Sequence, residues 1–395
     1  RYERFVGAVW QFYESKISMT SNAVSHPSRP QSSASSSSEK GHPGGVGTLR
    51  LVAWEVTRSC NLACLHCRAA AQDRPYENEL KTEECFQLLD NIATFAQPIV
   101  ILTGGEPLLR PDIFDIAAYG NQKGFRMTMA VNGTLVTPEK IRKMLDSGIQ
   151  RISISLDGAS AASHDAFRQV QGAFEGALRG MAHAREGGLD FQVNTTITQR
   201  NLHELGAIQD LVVSLGAVAH HIFLLVPMGR GKDLAEQGIN ARQYEETLHW
   251  FYDQRSKVPM QLKATCAPHY YRILRQRAKS EGVNVDFQTF GLDAVSRGCL
   301  GGTGFAFISH VGIVQPCGYL ELDCGNIREK PFREIWQTSQ IFQDLRDFKK
   351  YEGKCGRCEY VRVCGGCRAR AYESTGNYLA SEPLCMYQPA EKSAS

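Results

Sequence analysis

The 395-residue chain is long enough for one large domain and a smaller one, and its hydrophobic content of 43% is that of an ordinary globular protein. Its formal net charge of +3 gives no reason to expect a nucleic acid or a membrane surface as partner. No apolar run approaches the roughly 20 residues of a membrane span. Thirteen cysteines in a long chain with regular strand and helix patterns indicate metal ligation in a reducing compartment rather than a secreted disulfide protein.

The first 48 residues contain little that predicts a folded domain. Residues 1–18 would suit a short amphipathic helix, but the segment after Met19 is rich in Ser, Pro and Gly and too polar to bury a core. We therefore predict a disordered tail over residues 1–48, with Met19 as a candidate for the true start. The alternative is a targeting signal, but the segment lacks the long apolar stretch and cleavage site of a secretory signal.

From Leu49 onward, short apolar runs alternate with longer segments of helical period. The six predicted strands are Leu49–Val56, Ile99–Thr103, Arg126–Val131, Ile152–Leu156, Phe191–Thr196 and His221–Val226. The predicted helices between them are Thr82–Phe95, Asp112–Asn121, Pro138–Ser147, Ala161–Glu186 and Leu202–Leu215. Repeated β–α units indicate a parallel sheet with helices outside it. Because six units are too few for a closed eight-stranded barrel, we predict an α/β fold with a partial (β/α)6 TIM-like barrel.

Three cysteines lie on the loop after the first predicted strand, namely Cys60, Cys64 and Cys67 at C-x3-C-x2-C spacing. They can converge on one metal centre, but they cannot supply the four thiolates of a closed iron–sulfur cluster or structural zinc site. One coordination position therefore stays open, which indicates chemistry rather than scaffolding. The alternative is a zinc site completed by His66, whose ring lies between two of the cysteines and would struggle to reach the same ion.

Polar and glycine-containing segments follow the later strands, where functional loops of such folds lie. These positions are Gly104, Gly105, Glu106 and Pro107 after strand two, Asn132 after strand three, Ser155 on strand four, Arg168 in the following helix and Asn194 on strand five. The two glycines let backbone approach a ligand closely, and Glu106 offers a carboxylate beside them. Taken alone, these segments are also ordinary turns, and Arg168 could be a surface charge.

A second group of cysteines lies in the C-terminal third. Its members are Cys299, Cys317, Cys324, the two CxxC pairs Cys355/Cys358 and Cys364/Cys367, and Cys385. Iron–sulfur clusters and zinc both accept four thiolates, so the spacing does not decide between them. Cys85 lies in a helical segment and is predicted to be a core residue.

The stretch between the two cysteine groups carries candidate substrate contacts. Arg230, Lys232 and Arg272 could meet an anionic substrate, and His269 could ligate a metal or act as an acid or base. Two neighbouring tyrosines, Tyr270 and Tyr271, offer flat apolar faces with polar tips. The alternative is a packed helix start at Pro268 with surface cations.

The C-x3-C-x2-C loop followed by the Gly-Gly-Glu-Pro segment resembles the radical S-adenosylmethionine (radical SAM) superfamily. The resemblance implies a [4Fe-4S] cluster held by Cys60, Cys64 and Cys67, with S-adenosylmethionine chelating the fourth iron. It also implies cofactor contacts at Gly104, Gly105, Glu106, Pro107, Asn132, Ser155 and Asn194, and a contact of Arg168 with the cofactor's carboxylate.

The C-terminal cysteines resemble a SPASM domain, an auxiliary-cluster module. The resemblance implies one auxiliary [4Fe-4S] cluster on Cys355, Cys358, Cys364 and Cys385. Cys299, Cys317 and Cys367 would be left for a second cluster. This set departs from the usual pattern, because the final CxxC motif, Cys364/Cys367, is one residue shorter than the common C-x3-C. A fourth ligand for the second cluster is not obvious. Cys324 or Cys266 could serve, or the second site is open or absent.

The predicted divisions are a barrel over residues 49–240, a helical connecting or substrate region over 241–295, a SPASM-like domain over 296–389 and a tail over 390–395.

Residues 49–389 also resemble the AhbD family of heme synthases in the siroheme-dependent route to heme. This implies an iron porphyrin substrate, iron-coproporphyrin III, two of whose propionates become vinyl groups to give protoheme. The substrate radical would lose carbon dioxide and one electron, for which an auxiliary cluster is a natural acceptor. The predicted propionate clamps are Arg230, Lys232 and Arg272, and His269 or His310 is a predicted axial or proton-handling group. A flavodoxin or ferredoxin as electron donor and a cytoplasmic location are further expectations.

Two alternatives stay open at this point. The first is another radical SAM/SPASM enzyme, either a porphyrinoid enzyme of the AhbC or NirJ kind or a peptide maturase. A maturase often carries a small peptide-binding domain ahead of its barrel, which residues 1–48 look unable to form. The second is a non-catalytic zinc or iron–sulfur scaffold.

Overall fold

The structure is a computed structural model that describes residues 47–390. The predicted tails and Met19 lie outside the described residues, apart from the last two residues of the first tail and the first residue of the second. The described residues belong to one compact unit. The predicted domain boundaries within it therefore stay predictions.

A single sheet of nine strands runs through the described residues, in the order β7-β6-β5-β4-β3-β2-β1-β8-β9. The strands are β1 (Leu51–Thr57), β2 (Ile99–Gly104), β3 (Arg126–Val131), β4 (Ile149–Ser155), β5 (Phe191–Ile197), β6 (Ala219–Leu224), β7 (Gln261–Thr265), β8 (Phe305–Ile308) and β9 (Val314–Gln315). Strands β1 to β7 pair in parallel in chain order, β8 pairs in parallel with β1, and β9 is antiparallel to β8. Successive right-handed β–α units produce this order.

The helices cover the parallel sheet. They are α1 (Thr82–Ala93), α2 (Ile113–Gln122), α3 (Pro138–Asp146), α4 (Ala161–Arg168), α5 (Ala173–Glu186), α6 (Leu205–Ser214), α7 (Ala241–Gln254), α8 (His269–Ser280), α9 (Phe287–Phe290), α10 (Leu292–Val295), α11 (Phe332–Thr338), α12 (Gln340–Arg346), α13 (Gly353–Arg357) and α14 (Arg368–Thr375). Short 3-10 helices are Pro107–Leu109, Leu202–Glu204, Gly229–Gln237 and Phe348–Lys350. Among these described helices, each is too short or too polar to span a bilayer.

The observed strands overlap all six predicted ones, but one predicted helix is divided and three strands are additional. The long helix predicted over residues 161–186 is two helices, α4 and α5, because Gln169 and Gly172 adopt left-handed backbone with φ of 58° and 84°. Strands β7, β8 and β9 were not predicted. They extend the sheet at both ends and lie beyond the predicted barrel, in the connecting region and the SPASM-like segment.

The two faces of the sheet differ in polarity because alternate residues of a strand point to opposite sides. Fully buried apolar side chains on one face pack against the helices; they include Val52, Trp54, Val100, Leu102, Met127, Met129, Ile152 and Ile154. The opposite face, called the inner face here, carries half-buried and mostly polar residues, which include Thr103, Thr128, Arg151, Ser153, Ser155, Gln192, Asn194, His221 and Lys263. The core therefore lies between sheet and helices.

The carboxyl ends of the parallel strands meet at one edge of the sheet. The cysteine loop follows β1, the Gly-Gly-Glu-Pro segment follows β2, and the loops after β3 to β6 continue along this edge. Because β8 is also parallel to β1, the segment after it arrives at the same edge.

Candidate active site

The three cysteines of the first motif lie on a loop that is tied to its neighbours through backbone hydrogen bonds. The Cys60 amide donates to the Gln72 carbonyl at 3.0 Å, and the Leu65 amide donates to the Phe167 carbonyl at 3.1 Å. The sulfurs of Cys60 and Cys64 are buried, and the Leu62 amide donates to Cys60 Sγ at 3.4 Å. N–H groups aimed at sulfur favour the thiolate, which is the form that ligates metal.

Burial opposes ionisation of these thiols as long as no metal is bound. It raises the pKa of Cys60 to about 12 and also raises the pKa of Cys64. Metal binding must therefore displace the thiol protons, as is general for thiolate sites. An arginine offsets part of this cost, because Arg168 Nη1 donates to Cys64 Sγ at 3.4 Å.

Arg168 is buried rather than a surface charge. Its guanidinium forms an ion pair with Asp157, whose Oδ1 accepts a hydrogen bond from the Thr196 amide at 2.7 Å. Arg168 therefore connects the ends of β4 and β5 to the cysteine loop. Its predicted contact with the cofactor's carboxylate stays a prediction, now at a position directly beside the cysteine sulfur.

The two glycines after β2 bring two backbones together. A Cβ on Gly104 would clash with the Thr57 carbonyl oxygen, and one on Gly105 would clash with that of Ser59. The Gly105 amide donates to the Thr57 carbonyl at 2.9 Å, and the Glu106 amide donates to that of Ser59 at 2.8 Å. The close approach that the glycines permit is thus between the loops after β1 and β2.

Glu106 and Asn132 lock the loops after β2 and β3 onto the cysteine loop. The Glu106 carboxylate is fully buried and accepts hydrogen bonds from the Leu108 amide at 3.0 Å and the Asn132 amide at 2.7 Å. Burial raises its pKa to about 7. The Asn132 side chain donates to Asn61 Oδ1 at 2.8 Å. Asn61 was not predicted, although its place inside the cysteine motif is a visible signal.

Ser155 and Asn194 lie side by side in register on β4 and β5 and face the inner side of the sheet. Asn194 Oδ1 accepts a hydrogen bond from Gln192 Nε2 at 3.1 Å. Both stay predicted cofactor contacts, and so do Gly104, Gly105, Glu106, Pro107 and Asn132.

Arg230 contacts the cysteine loop. Its Nε donates to the Cys64 carbonyl at 2.8 Å and its Nη1 to the Ala71 carbonyl at 2.6 Å. The preceding Gly229 has a φ of 53° and a position where a Cβ would clash with the Arg68 carbonyl. Lys232 is exposed and lies 3.8 Å from Glu373. The contacts of Arg230 and Lys232 with propionates stay predictions.

His310 belongs to a buried ionic group behind the cysteine loop. Its Nδ1 lies 2.7 Å from Glu55 Oε1, and Arg68 and Arg58 contact the same carboxylate at 3.0 and 3.1 Å. Burial alone would raise the pKa of Glu55, but Arg68 and His310 bring it down to about 2. Nδ1 of His310 faces Glu55, and its axial or proton-handling role stays a prediction. Glu55 and Arg68 were not predicted to be functional; the pairing of Glu55 with His310 depends on β8 lying beside β1.

Four C-terminal cysteines line one pocket. They are the predicted set Cys355, Cys358, Cys364 and Cys385. The Gly366 amide donates to Cys364 Sγ, and Arg368 Nη2 and the Glu382 amide donate to Cys355 Sγ, each at 3.4 Å. Four thiols with N–H donors to sulfur suit a closed cluster.

The same pocket is lined by His269 and Arg272. Arg272 Nη2 donates to both oxygens of Glu245, at 2.7 and 2.6 Å. His269 Nε2 lies 2.5 Å from Glu382 Oε2. Helix α8 begins at His269, shortly after β7, and its first turn faces the C-terminal cysteines. Both side chains thus lie beside the predicted auxiliary site, their roles at the substrate stay predictions, and Glu382 is a residue that the sequence did not reveal.

A further group of cysteines lies beside the first. Cys367 is buried and packs with Cys266 and Cys317 in one apolar cluster. A Cβ on Gly301 would lie 3.6 Å from the Cys317 Cβ and 3.7 Å from Cys299 Sγ, so Cys299 belongs to the same group. Cys324 instead packs against the main core. Between the two candidates for a fourth ligand, the structure therefore brings in Cys266.

Among residues 47–390, no three Cys, His, Asp or Glu side chains are gathered in a way that would hold a single metal ion. The N–H donors to Cys60, Cys355 and Cys364 are contacts that thiolate ligands of either metal type accept.

Comparison with known families and proteins gives a consistent result. Residues 54–212 match the Radical SAM superfamily, and residues 299–367 match SPASM, an iron–sulfur cluster-binding domain. The chain is 58% identical over 345 residues to the AdoMet-dependent heme synthase of Nitratidesulfovibrio vulgaris, which covers 87% of this chain and 94% of the relative. It is 52% identical over 343 residues to the AdoMet-dependent heme synthase of Methanosarcina barkeri, covering 87% and 98%. The Fe-coproporphyrin III synthase of the same organism is 32% identical over 352 residues, covering 85% and 87%.

Solved structures share the fold. SuiB of Streptococcus suis bound to S-adenosylmethionine has a TM-score of 0.67 at 14% identity, covering 86% of this chain and 78% of that one. The enzyme anSMEcpe with bound AdoMet has a TM-score of 0.63 at 16% identity, covering 85% and 94%. The predicted radical SAM partial barrel with a C-terminal SPASM-like domain is thereby confirmed.

Proposed function

Because the chain belongs to the radical SAM superfamily and, within it, to the AdoMet-dependent heme synthases, we propose that it converts two propionates of iron-coproporphyrin III to vinyl groups, giving protoheme. It is a radical SAM enzyme of heme synthesis, and its two domains imply iron–sulfur clusters and S-adenosylmethionine as cofactors. The observation that carries the proposal is the three-thiol loop after β1, with Cys60 and Cys64 buried and Cys67 partly exposed, whose fourth ligand position is left for the cofactor.

Each conversion requires a propionate to lose one hydrogen atom, one electron and carbon dioxide. A cluster held by Cys60, Cys64 and Cys67, together with S-adenosylmethionine, would supply the radical. That radical would take the hydrogen atom from the propionate carbon that is attached to the macrocycle. The task of the protein is orientation and exclusion of water. Arg168 and the loops locked by Glu106 hold the cysteine loop rigid, and the inner face of the sheet receives the substrate.

The departing electron needs an acceptor, and we assign two auxiliary sites to this chain. The first has the ligands Cys355, Cys358, Cys364 and Cys385, and the second has Cys266, Cys299, Cys317 and Cys367. The amide of Cys299 donates to the carbonyl of Cys364 at 3.1 Å, so the two sites adjoin. A short separation favours electron transfer between them. Cys266 contributes from the end of β7, outside the matched SPASM segment, with a left-handed φ of 54°.

The electron donor in this proposal is a flavodoxin or a ferredoxin, since reduction of the open cluster requires a strong one-electron donor. We also propose a reducing, cytoplasmic location. All thirteen cysteines are free of disulfides, which suits that environment.

The direct test is turnover of the anaerobically reconstituted protein with iron-coproporphyrin III, S-adenosylmethionine and dithionite. The expected result is stepwise loss of two carboxyl groups by mass spectrometry, with 5′-deoxyadenosine formed. If 5′-deoxyadenosine forms and the porphyrin is unchanged, the substrate assignment is wrong. Didecarboxysiroheme would then be tried first, because an Fe-coproporphyrin III synthase is a relative, and candidate peptides second.

A further inference from the structure

A buried ion pair connects the two auxiliary sites. Arg370 Nε donates to Glu382 Oε1 at 2.7 Å, and both side chains are buried. On one side of the pair, the Glu382 amide donates to Cys355 Sγ at 3.4 Å. On the other side, Arg370 Nη2 donates to the carbonyl of Cys266 at 2.6 Å. Since Cys355 is assigned to the first auxiliary site and Cys266 to the second, the pair joins one ligand of each.

The guanidinium of Arg370 is held in one orientation by further hydrogen bonds. Its Nη1 donates to the Leu225 carbonyl at 3.0 Å, and its Nη2 donates to the Tyr244 hydroxyl at 3.1 Å. That hydroxyl in turn donates to the Cys266 carbonyl at 3.2 Å. Arg370 and Tyr244 together therefore hold the left-handed turn at Cys266, whose φ is 54°. The positive charge of Arg370, which proteins do not neutralise, is thereby fixed beside the second site.

The carboxylate of Glu382 only partly offsets this charge at the second site. Its other oxygen, Oε2, lies 2.5 Å from His269 Nε2, so the carboxylate is shared between two basic side chains. Cys367 directly precedes α14, and Arg370 lies in the first turn of that helix. Burial raises the pKa of the Cys367 thiol; among its neighbours Arg370 opposes this rise most strongly, and Glu382 adds to it less strongly. The attraction from Arg370 thus exceeds the repulsion from Glu382 at this sulfur.

The first auxiliary site has different cations beside it. Burial raises the pKa of the Cys385 thiol to about 11, although Arg272 and Lys354 oppose the rise, and Glu382 adds to it. Lys354 also donates from Nζ to the Cys385 carbonyl at 2.7 Å. The negative charge of Glu382 is therefore felt at both sites, whereas the positive charge of Arg370 is directed at the second.

We propose that Arg370 is a positioning residue that raises the reduction potential of the second auxiliary cluster, so that this cluster accepts the electron released by the substrate. The inference rests on the two auxiliary sites of the proposed function and adds the residue that tunes one of them. A cluster gains one negative charge when it is reduced, and a fixed cation in a poorly hydrated site stabilises the reduced form. Each decarboxylation releases one electron with its carbon dioxide, which matches one reduction of the cluster. Arg370 was not predicted from the sequence, although its place three residues after Cys367 is a visible signal.

The proposal is tested by a potentiometric titration of the anaerobically reconstituted full chain, with neither porphyrin nor S-adenosylmethionine present. Electron paramagnetic resonance follows the reduction steps, and the step that is missing from Cys266→Ala is that of the second site. In Arg370→Met this step should move to lower potential, by at least about tenfold in the one-electron equilibrium constant, or about 59 mV. Arg370→Lys keeps the positive charge, so its potential should lie closer to that of the wild type.

Two further variants separate charge from structure. Glu382→Gln removes the negative neighbour and keeps an acceptor for Arg370, so the second-site step should move to higher potential. The matched control is Arg110→Met, because Arg110 is also buried, pairs with Asp112 and donates to the Val56 carbonyl. This control should lower the free energy of unfolding without moving the second-site step. An equal shift in Arg110→Met and Arg370→Met would overturn the proposal.

A purely structural role of Arg370 predicts a loss of stability or of iron with no change in potential. Wild-type iron content in Arg370→Met with an unmoved second-site step would therefore overturn the proposal. If Arg370→Met cannot hold the cluster, Glu382→Gln decides, because a step that does not rise there also overturns it. If Cys266→Ala lacks no reduction step, the second site of the proposed function is wrong and this inference falls with it. A second-site step that is present but insensitive to Arg370 overturns this inference alone.

Discussion

Two buried glutamates stand behind the two cysteine regions and are held in the same way. The partners are Arg68 and His310 for Glu55 and Arg370 and His269 for Glu382. In both cases burial would raise the pKa of the carboxyl group, but the basic neighbours, which at Glu55 also include Arg58, lower it to about 2. The regions differ in thiol number, since the loop after β1 offers three cysteines and the C-terminal cavity four. The number of thiols, rather than the surrounding charge, therefore separates the open site from the closed one.

The difference in thiol number predicts the largest effect. Cys64→Ala should abolish S-adenosylmethionine cleavage and remove about four irons per chain, because two thiolates cannot hold the open cluster. Cys355→Ala should also reduce the iron content but leave cleavage of S-adenosylmethionine in place. Iron and sulfide counts with 5′-deoxyadenosine assays check both variants. If Cys64→Ala and Cys355→Ala lose S-adenosylmethionine cleavage to the same extent, the open and closed sites do not have separate roles.

The second prediction concerns the other auxiliary site. Cys266→Ala should remove up to about four irons and alter the electron paramagnetic resonance spectrum of the reduced protein. Cys324→Ala is the matched control, because its thiol packs in the main core, and its iron content should equal that of the wild type. If Cys324→Ala loses iron and Cys266→Ala does not, the fourth ligand is Cys324 and not Cys266.

The glutamate behind the open site predicts a dependence of stability on pH. The folded-state pKa of Glu55 is about 2, below its ordinary value of 4.5, so its contribution is fully present above pH 4.5 and is lost as the pH falls toward 2. The shift corresponds to about 3 kcal/mol. The difference in urea unfolding free energy between wild type and Glu55→Gln should shrink below pH 5. The exposed Glu77→Gln is the control, and a pH-independent difference would refute the account.

The smallest effect is expected at Arg272. Because its buried guanidinium contacts Glu245 beside the auxiliary pocket, Arg272→Ala should leave the KM for porphyrin unchanged and cost about 2 kcal/mol of unfolding free energy. Steady-state kinetics and urea unfolding measure the two quantities. A raised KM would instead support the prediction of a propionate clamp.

Local patterns in the sequence were sufficient for the parallel sheet and for the cysteine motifs. A strand of β-branched residues or a helix of regular period can be identified within about ten residues of sequence, and so can a C-x3-C-x2-C motif. The short strands β7, β8 and β9 were not predicted, because two to five residues carry little pattern of their own. Pairing with β6, β1 and β8 respectively stabilises them. The break between α4 and α5 was not predicted, because it depends on left-handed backbone at Gln169 and Gly172.

The sequence by itself determined the residue types, which ones could ligate metal and which strands carry them to one edge. The tertiary structure alone decided the partners of the charged and nucleophilic side chains. Arg230 and Arg272 have the charge of a propionate clamp, yet one supports the cysteine loop and the other contacts Glu245. Cys266 lies 33 residues before Cys299 and joins it only through the turn after β7. The physical reason is that charge and thiol chemistry are properties of a residue, whereas proximity is a property of the packed chain.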